Sequence, residues 1–123
     1  MKELNVYIGY DAKESISWHV LVQSLMQTSS MPLNIKPVNL QNYTGIYERQ
    51  HDHRQSNEFS FSRFLVPYLM DYSGLALFLD CDMLVRSDIK EIFDLALSNS
   101  DKAVHVVKHD YTPANDVKYL GKK

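Results

Sequence analysis

Leu75, Ala76, Leu77, Phe78 and Leu79 form an unbroken apolar run that meets two carboxylates, Asp80 and Asp82, with Cys81 between them and Met83, Leu84 and Val85 after. A run of this length, apolar at every position, fits a strand buried on both faces. Strands of that kind belong to mostly parallel sheets covered by helices. In an extended chain residues i and i+2 point the same way. The expected geometry therefore sends Asp80 and Asp82 out together from the carboxyl end of the strand.

The rest of the chain alternates in the way such a sheet requires. Residues 6–10, ending in Gly9 and Tyr10, read as an opening buried strand stopped by Asp11. Residues 15–27 repeat at helical spacing, with Ile16, Val20, Leu21, Leu25 and Met26 on the apolar face and Gln23, Ser24 and Gln27 away from it. Asp11 and Ser15 are both suitable N-caps. A second strand is expected over 33–40. A polar loop follows over 41–57, containing Tyr43, Tyr47, Arg49, His51, Asp52, His53 and Arg54. Loops of that length usually serve a function. A second helix is expected over 59–72, broken by Ser73 and Gly74. A third begins near Ser87 or Asp88, either of which would cap it, with Glu91 near the third helical position. Residues 103–107 read as a fourth strand, and 109–123 as a polar tail. The order β-α-β-loop-α-β-α-β predicts one α/β domain over residues 1–123, with a mostly parallel, Rossmann-like sheet and flanking helices.

Composition narrows the function. The chain has 123 residues and a formal net charge of −2, without the basic excess of a duplex nucleic-acid binder. A single cysteine excludes an intramolecular disulfide and a multi-cysteine zinc site. The start of the chain lacks the pattern of a signal peptide, and no apolar run approaches the ~20 residues of a bilayer span. A cytoplasmic setting is the expectation.

Two carboxylates converging at a strand end repel unless one takes up a proton or a cation joins them. Carboxylate oxygens suit Mg²⁺ and Mn²⁺, which complete their shells with water and substrate phosphates. Ligands of open α/β sheets bind at carboxyl strand ends. The plainer reading of the pair is a capped turn in which Asp82 accepts from local backbone N–H groups. Arg63, on the polar side of the 59–72 segment, could grip phosphate oxygens with its planar fork; its plainer reading is a solvated surface cation.

Ser60, Phe61, Ser62, Arg63, Phe64, Leu65, Val66, Pro67, Tyr68 and Leu69, followed by the apolar strand and by Asp80, Cys81 and Asp82, resemble the pattern of glycosyltransferases of the GT-A fold. The chain is most similar to the family-8 type of retaining enzymes, which includes bacterial lipopolysaccharide hexosyltransferases and glycogenin. The resemblance covers nearly the whole chain. It implies a nucleotide-sugar-binding domain in which Asp82 binds the metal directly and Asp80 contacts metal and ribose. Arg63 would touch the donor's diphosphate or sugar. Gly9, Tyr10 and Asp11 would lie around base and ribose, with Asp11 reaching the uracil. The implied reaction is metal-dependent transfer of a hexose from a UDP-sugar to a carbohydrate, lipid-linked or protein acceptor. Such domains are longer than this chain. Their C-terminal half supplies acceptor contacts and a third metal ligand, usually His; His109 with Asp110 could help here, but the plainer reading of His105 and His109 puts them on the fourth strand and at its exit. The chain is accordingly expected to be a truncated form whose acceptor half is absent, or a short relative that binds nucleotide without turnover. Its exposed edge would favour homo-oligomers. A phosphatase of the haloacid-dehalogenase type also places Asp-x-Asp after an apolar strand. Its motif sits on the first strand and continues to Gly or Thr, which this chain does not match.

Overall fold

The computed structural model describes residues 1–110 and 112. Part of the polar tail expected over 109–123 therefore lies outside the described residues. Three strands form one parallel sheet in the order β2-β1-β3: β1 over Leu4–Gly9, β2 over Leu33–Val38 and β3 over Ala76–Leu79. Val6 stands opposite Ile35 on one side and Leu77 on the other. The helices are α1 over Ser15–Thr28, a single turn α2 over Val66–Leu69, and α3 over Lys90–Ser98. The α/β class with a parallel sheet and flanking helices is as the alternation predicted; nothing in the architecture is specific to the GT-A fold.

Among the described residues the central strand is the most deeply buried. Leu4, Val6 and Ile8 are fully buried, and Tyr7 nearly so on the opposite side of the pleat. They pack with Leu21 and Leu25 of α1, Ile89 and Phe93 at α3, and Phe59 and Cys81 from the connecting segments. No helix among the described residues is long and apolar enough to cross a membrane.

The buried stripe of α1 is only partly the expected one: Leu21 and Leu25 are on it, and its other members differ. Leu21, Ser24 and Leu25 face inward, with Trp18 and Val22 packed against the core, whereas Ile16, Val20 and Met26 are exposed. Positions 18, 21, 22 and 25 have helical spacing as good as 16, 20, 21 and 25, so periodicity alone could not choose. Bonds from Trp18 to Ile8 and from Val85 to Ser24 select the observed face. Trp18 Nε1 donates to the carbonyl of Ile8 at 3.4 Å. Ser24 Oγ donates to Leu21 O and accepts from Val85 N, at 2.7 and 3.0 Å, which satisfies a buried hydroxyl.

The helix expected over 59–72 is a chain of short pieces: turns through Phe61, a 3₁₀ segment over Ser62–Leu65, then α2. Pro67 is the reason. It has no N–H to donate back to residue 63, and its ring disfavours a continuous helix through that point, but it fits the first turn of a new one. Asp71, Tyr72 and Gly74 then take positive φ angles and turn the chain into β3.

The fourth strand expected over 103–107 is absent from the described sheet. Val104, Val106 and Val107 are largely exposed. The segment instead borders an open apolar cavity of about 420 Å³ beside the outer edge of β3, which Leu77, Phe78, Ile92 and Phe93 also line. Alternating β-branched residues favour a strand only when a neighbouring strand supplies ladder bonds and a packed face. Here both are missing. At α3, Ile89 occupies the cap position without a side-chain cap bond, so no capping box forms with Glu91. Asp88 does cap locally: its two oxygens accept from Ser30 N and from Lys90 N, tying α3 to the turn after α1, and bonding to Ser30 first, then to Lys90, holds its carboxyl below the usual range.

Candidate functional site

The strand order 2-1-3 makes β1 the point where the sheet changes direction of growth. Ligands of open α/β sheets bind outside the carboxyl ends of strands at such a switch. Because β1 and β3 are parallel and Ile8 stands opposite Leu79, residues 9–11 and 80–82 leave the sheet side by side at that place. Sequence-predicted residues from two distant segments thus meet at one end of the fold.

Arg63 completes the group. Its Nη2 lies 3.2 Å from Asp80 Oδ1. Its Nε donates to the carbonyl of Phe59 at 3.2 Å. The guanidinium carbon is 5.2 Å from the centre of the Phe78 ring and 5.6 Å from that of Phe59. A guanidinium against two aromatic rings and a carbonyl is oriented rather than freely solvated. The surface-cation reading of Arg63 therefore does not hold.

Asp80 Oδ1 is out of solvent and lacks a hydrogen bond, although the Arg63 charge lies beside it. The ion pair is a charge contact without aligned donor geometry. A buried carboxylate oxygen short of a donor is what a cation would satisfy. Asp82 is exposed, with no hydrogen bond or ion pair among the described residues. The strand ends at Leu79, and Cys81 and Asp82 sit in a turn, so the extended i, i+2 alignment expected for the two carboxylates is not the observed backbone. No group of three His, Cys, Asp or Glu side chains suited to a metal occurs among the described residues. A site here would be two carboxylates completed by water and ligand phosphate, an arrangement that suits Mg²⁺ or Mn²⁺. His105 and His109 are exposed and do not join the pair.

Gly9, Tyr10 and Asp11 have other duties that position the site. A Cβ on Gly9 would fall 2.3 Å from two atoms of the Phe59 ring, so only glycine lets Phe59 cover the end of β1. Tyr10 N donates to Val38 O at 3.0 Å, and its ring meets Trp18 edge-on. Asp11 is buried; Oδ1 accepts from Lys13 N at 3.0 Å and Oδ2 from Glu58 N at 3.1 Å. It caps the 3₁₀ turn Ala12–Glu14 and tethers the segment that carries Phe59 and Arg63.

Cys81 is the buried filler between the two aspartates. Its thiol donates to Glu14 Oε2 at 3.0 Å, and burial, then the Glu14 carboxylate, pushes it up to about 12. Glu14, Phe59 and Phe78 were not legible as site residues. Their signals, an acidic residue in a turn and two apolar aromatics, are indistinguishable from ordinary surface and core positions.

The chain is similar to a protein of Arabidopsis thaliana named Protein CDI, with 42% identity over 123 residues. That match takes in 98% of this chain and 46% of the relative, so the chain spans about half the length of the curated protein it matches. No family model matches the chain, and no solved structure matches it. These findings overturn the assignment to GT-A, family-8-type glycosyltransferases suggested by the order of motifs: the relative that matches nearly the whole of this chain carries a different name, and nothing in the comparisons points to that family.

Proposed function

We propose that the carboxyl ends of β1 and β3 bind the diphosphate of a nucleotide sugar, with UDP as the nucleotide, together with Mn²⁺ or Mg²⁺, and that the chemistry served is transfer of the hexose to an acceptor hydroxyl. The observation that carries this reading is the Arg63–Asp80 pair at the β1/β3 switch point, with Asp82 exposed beside it. Asp80 and Asp82 would hold the cation. The bound cation would supply Lewis-acid neutralisation of charge on the departing diphosphate. Arg63 would present its outer N–H edge to the phosphate oxygens, held in place by Phe59 and Phe78. Asp11 would act through the tether to Glu58 rather than by touching the base, since both its oxygens already accept backbone N–H groups. No residue is assigned as nucleophile or base.

Calorimetric titration with UDP in the presence and absence of Mn²⁺ tests the proposal. Asp82→Asn is expected to abolish the Mn²⁺-dependent part of UDP binding. Unchanged affinity would remove the cation from this site.

A second reading is nucleotide binding without turnover, in keeping with the site as described, in which every assigned residue binds or positions the ligand. Binding of a UDP-sugar with no release of UDP, alone or with acceptor sugars, would support it over transfer.

A further inference from the structure

The loop between β2 and the Arg63 segment borders a second open cavity, of about 340 Å³, lined by Arg49, Asp52, Arg54, Ser56, Ser60 and Phe61 among others. Arg49 lies over the Phe61 ring, with its guanidinium carbon 3.7 Å from the ring centre. Among the described residues Arg49 has no hydrogen bond and no ion pair; the ring contact is what holds it. Stacking covers a face of the guanidinium and leaves its N–H edges available. The second cation is already engaged. Arg54 donates to Asp52 through its backbone N, Nε and Nη2 at 2.9, 3.1 and 2.8 Å. That fork holds the Asp52 carboxyl well below the usual carboxylate range, so Asp52 stays ionised and keeps Arg54 in place. The charged lining residues named are two cations and one anion, a net +1 that resides on Arg49.

We propose that this cavity is an oxyanion site for the phosphate monoester of a small molecule, with Arg49 as its bidentate donor and Phe61 as the platform that orients it. A planar fork with free edges matches two oxygens of a phosphate at once. The hydroxyl of Ser56, which makes no hydrogen bond among the described residues, is a further donor on the wall. The volume falls in the range of pockets that enclose small organic ligands, and so leaves room for the body that carries the phosphate. The site is separate from the strand-end aspartates and does not rest on their reading.

The test is calorimetric titration of the whole chain with inorganic phosphate and with glycerol 3-phosphate. Arg49→Ala is expected to weaken both by roughly tenfold or more. Arg49→Lys, which keeps the charge but loses the fork, is expected to weaken them nearly as much. Lys102→Gln, which removes an exposed cation outside the cavity, is expected to leave both affinities unchanged, and Arg49→Ala is expected to weaken both ligands by the same factor in an Arg63→Gln background, which separates this site from the strand end. Preferential binding of glycerol 3-phosphate assigns the ligand to organic monoesters; preference for inorganic phosphate overturns that class. Native affinity in Arg49→Ala, or full retention in Arg49→Lys, overturns the role of Arg49. Should the variants fail to fold, peptide-mapped phenylglyoxal modification of the native chain decides: phosphate is expected to protect Arg49, and modification at the same rate with phosphate present refutes the site.

Discussion

Gly9→Ala perturbs core and candidate site through a single methyl group. The added Cβ would lie 2.3, 2.3 and 2.7 Å from three atoms of the Phe59 ring. Carbon atoms in contact prefer about 3.5–4.0 Å, so ring and backbone must part by roughly 1 Å. Neither yields easily. Gly9 ends the central strand and pairs with Val38, while Phe59 is 1% exposed within the core cluster. Absorbing the methyl by off-rotamer shifts costs about 1–3 kcal/mol; expelling the ring would approach the about 3–5 kcal/mol of a Phe→Ala change. With a urea m-value of about 1–3 kcal/mol per molar, the unfolding midpoint is expected to fall by about 1 M. The decisive control is a double-mutant cycle. If the ring is the obstacle, adding Gly9→Ala to Phe59→Ala costs less than about 0.5 kcal/mol, because the clash has gone. Full additivity of the two changes, or an unshifted midpoint for Gly9→Ala alone, would refute the steric argument.

Arg63→Gln should separate stability from binding: the pair with Asp80 is partly exposed, at 32% and 45% for the two side chains, so its loss costs at most about 1 kcal/mol in urea, whereas UDP affinity in Mn²⁺ is expected to drop by roughly tenfold. Equal UDP affinity in variant and native protein would detach Arg63 from the phosphate role. Cys81, pushed up to about 12 by burial and by Glu14, is expected to remain a neutral thiol and to resist an aromatic disulfide reagent at pH 8 until the chain unfolds; rapid labelling of the native protein would contradict that burial. The sign of its pH dependence follows. The folded state favours the protonated thiol, so its contribution to stability is complete below the ordinary thiol value of 9.0 and is lost progressively as pH rises toward about 12. Comparing urea midpoints of native protein and Cys81→Ser across that interval is expected to show a steeper alkaline decline for the native chain.

The three parallel strands, their order in the chain, and the placing of Gly9, Asp11, Asp80 and Asp82 near strand ends were all legible in the residues. Each rests on a local signal: an apolar run, a helical period, a carboxylate where the run stops. The fourth strand failed because a local β pattern over 103–107 carries no information about whether a partner edge is paired to receive it. The long helix over 59–72 failed on a residue in plain view, Pro67, whose missing N–H outweighed an apolar period that otherwise fitted. The inward face of α1 was undecidable, since two stripes had the same spacing until Ile8 and Val85 supplied partners for Trp18 and Ser24.

Local chemistry along the chain therefore determined that this is an α/β protein with an acidic pair at the end of an apolar strand. Only the tertiary structure decided what that pair meets. The order 2-1-3 brings β1 and β3 together across some seventy intervening residues, and the ring of Phe59, admitted by the bare Gly9, sets the Arg63 guanidinium against Asp80. Contacts of that kind depend on the packing of side chains far apart in sequence. No period or motif encodes them, because the groups that fix the geometry, a glycine, a phenylalanine and a carbonyl oxygen, carry no chemical signature of their own.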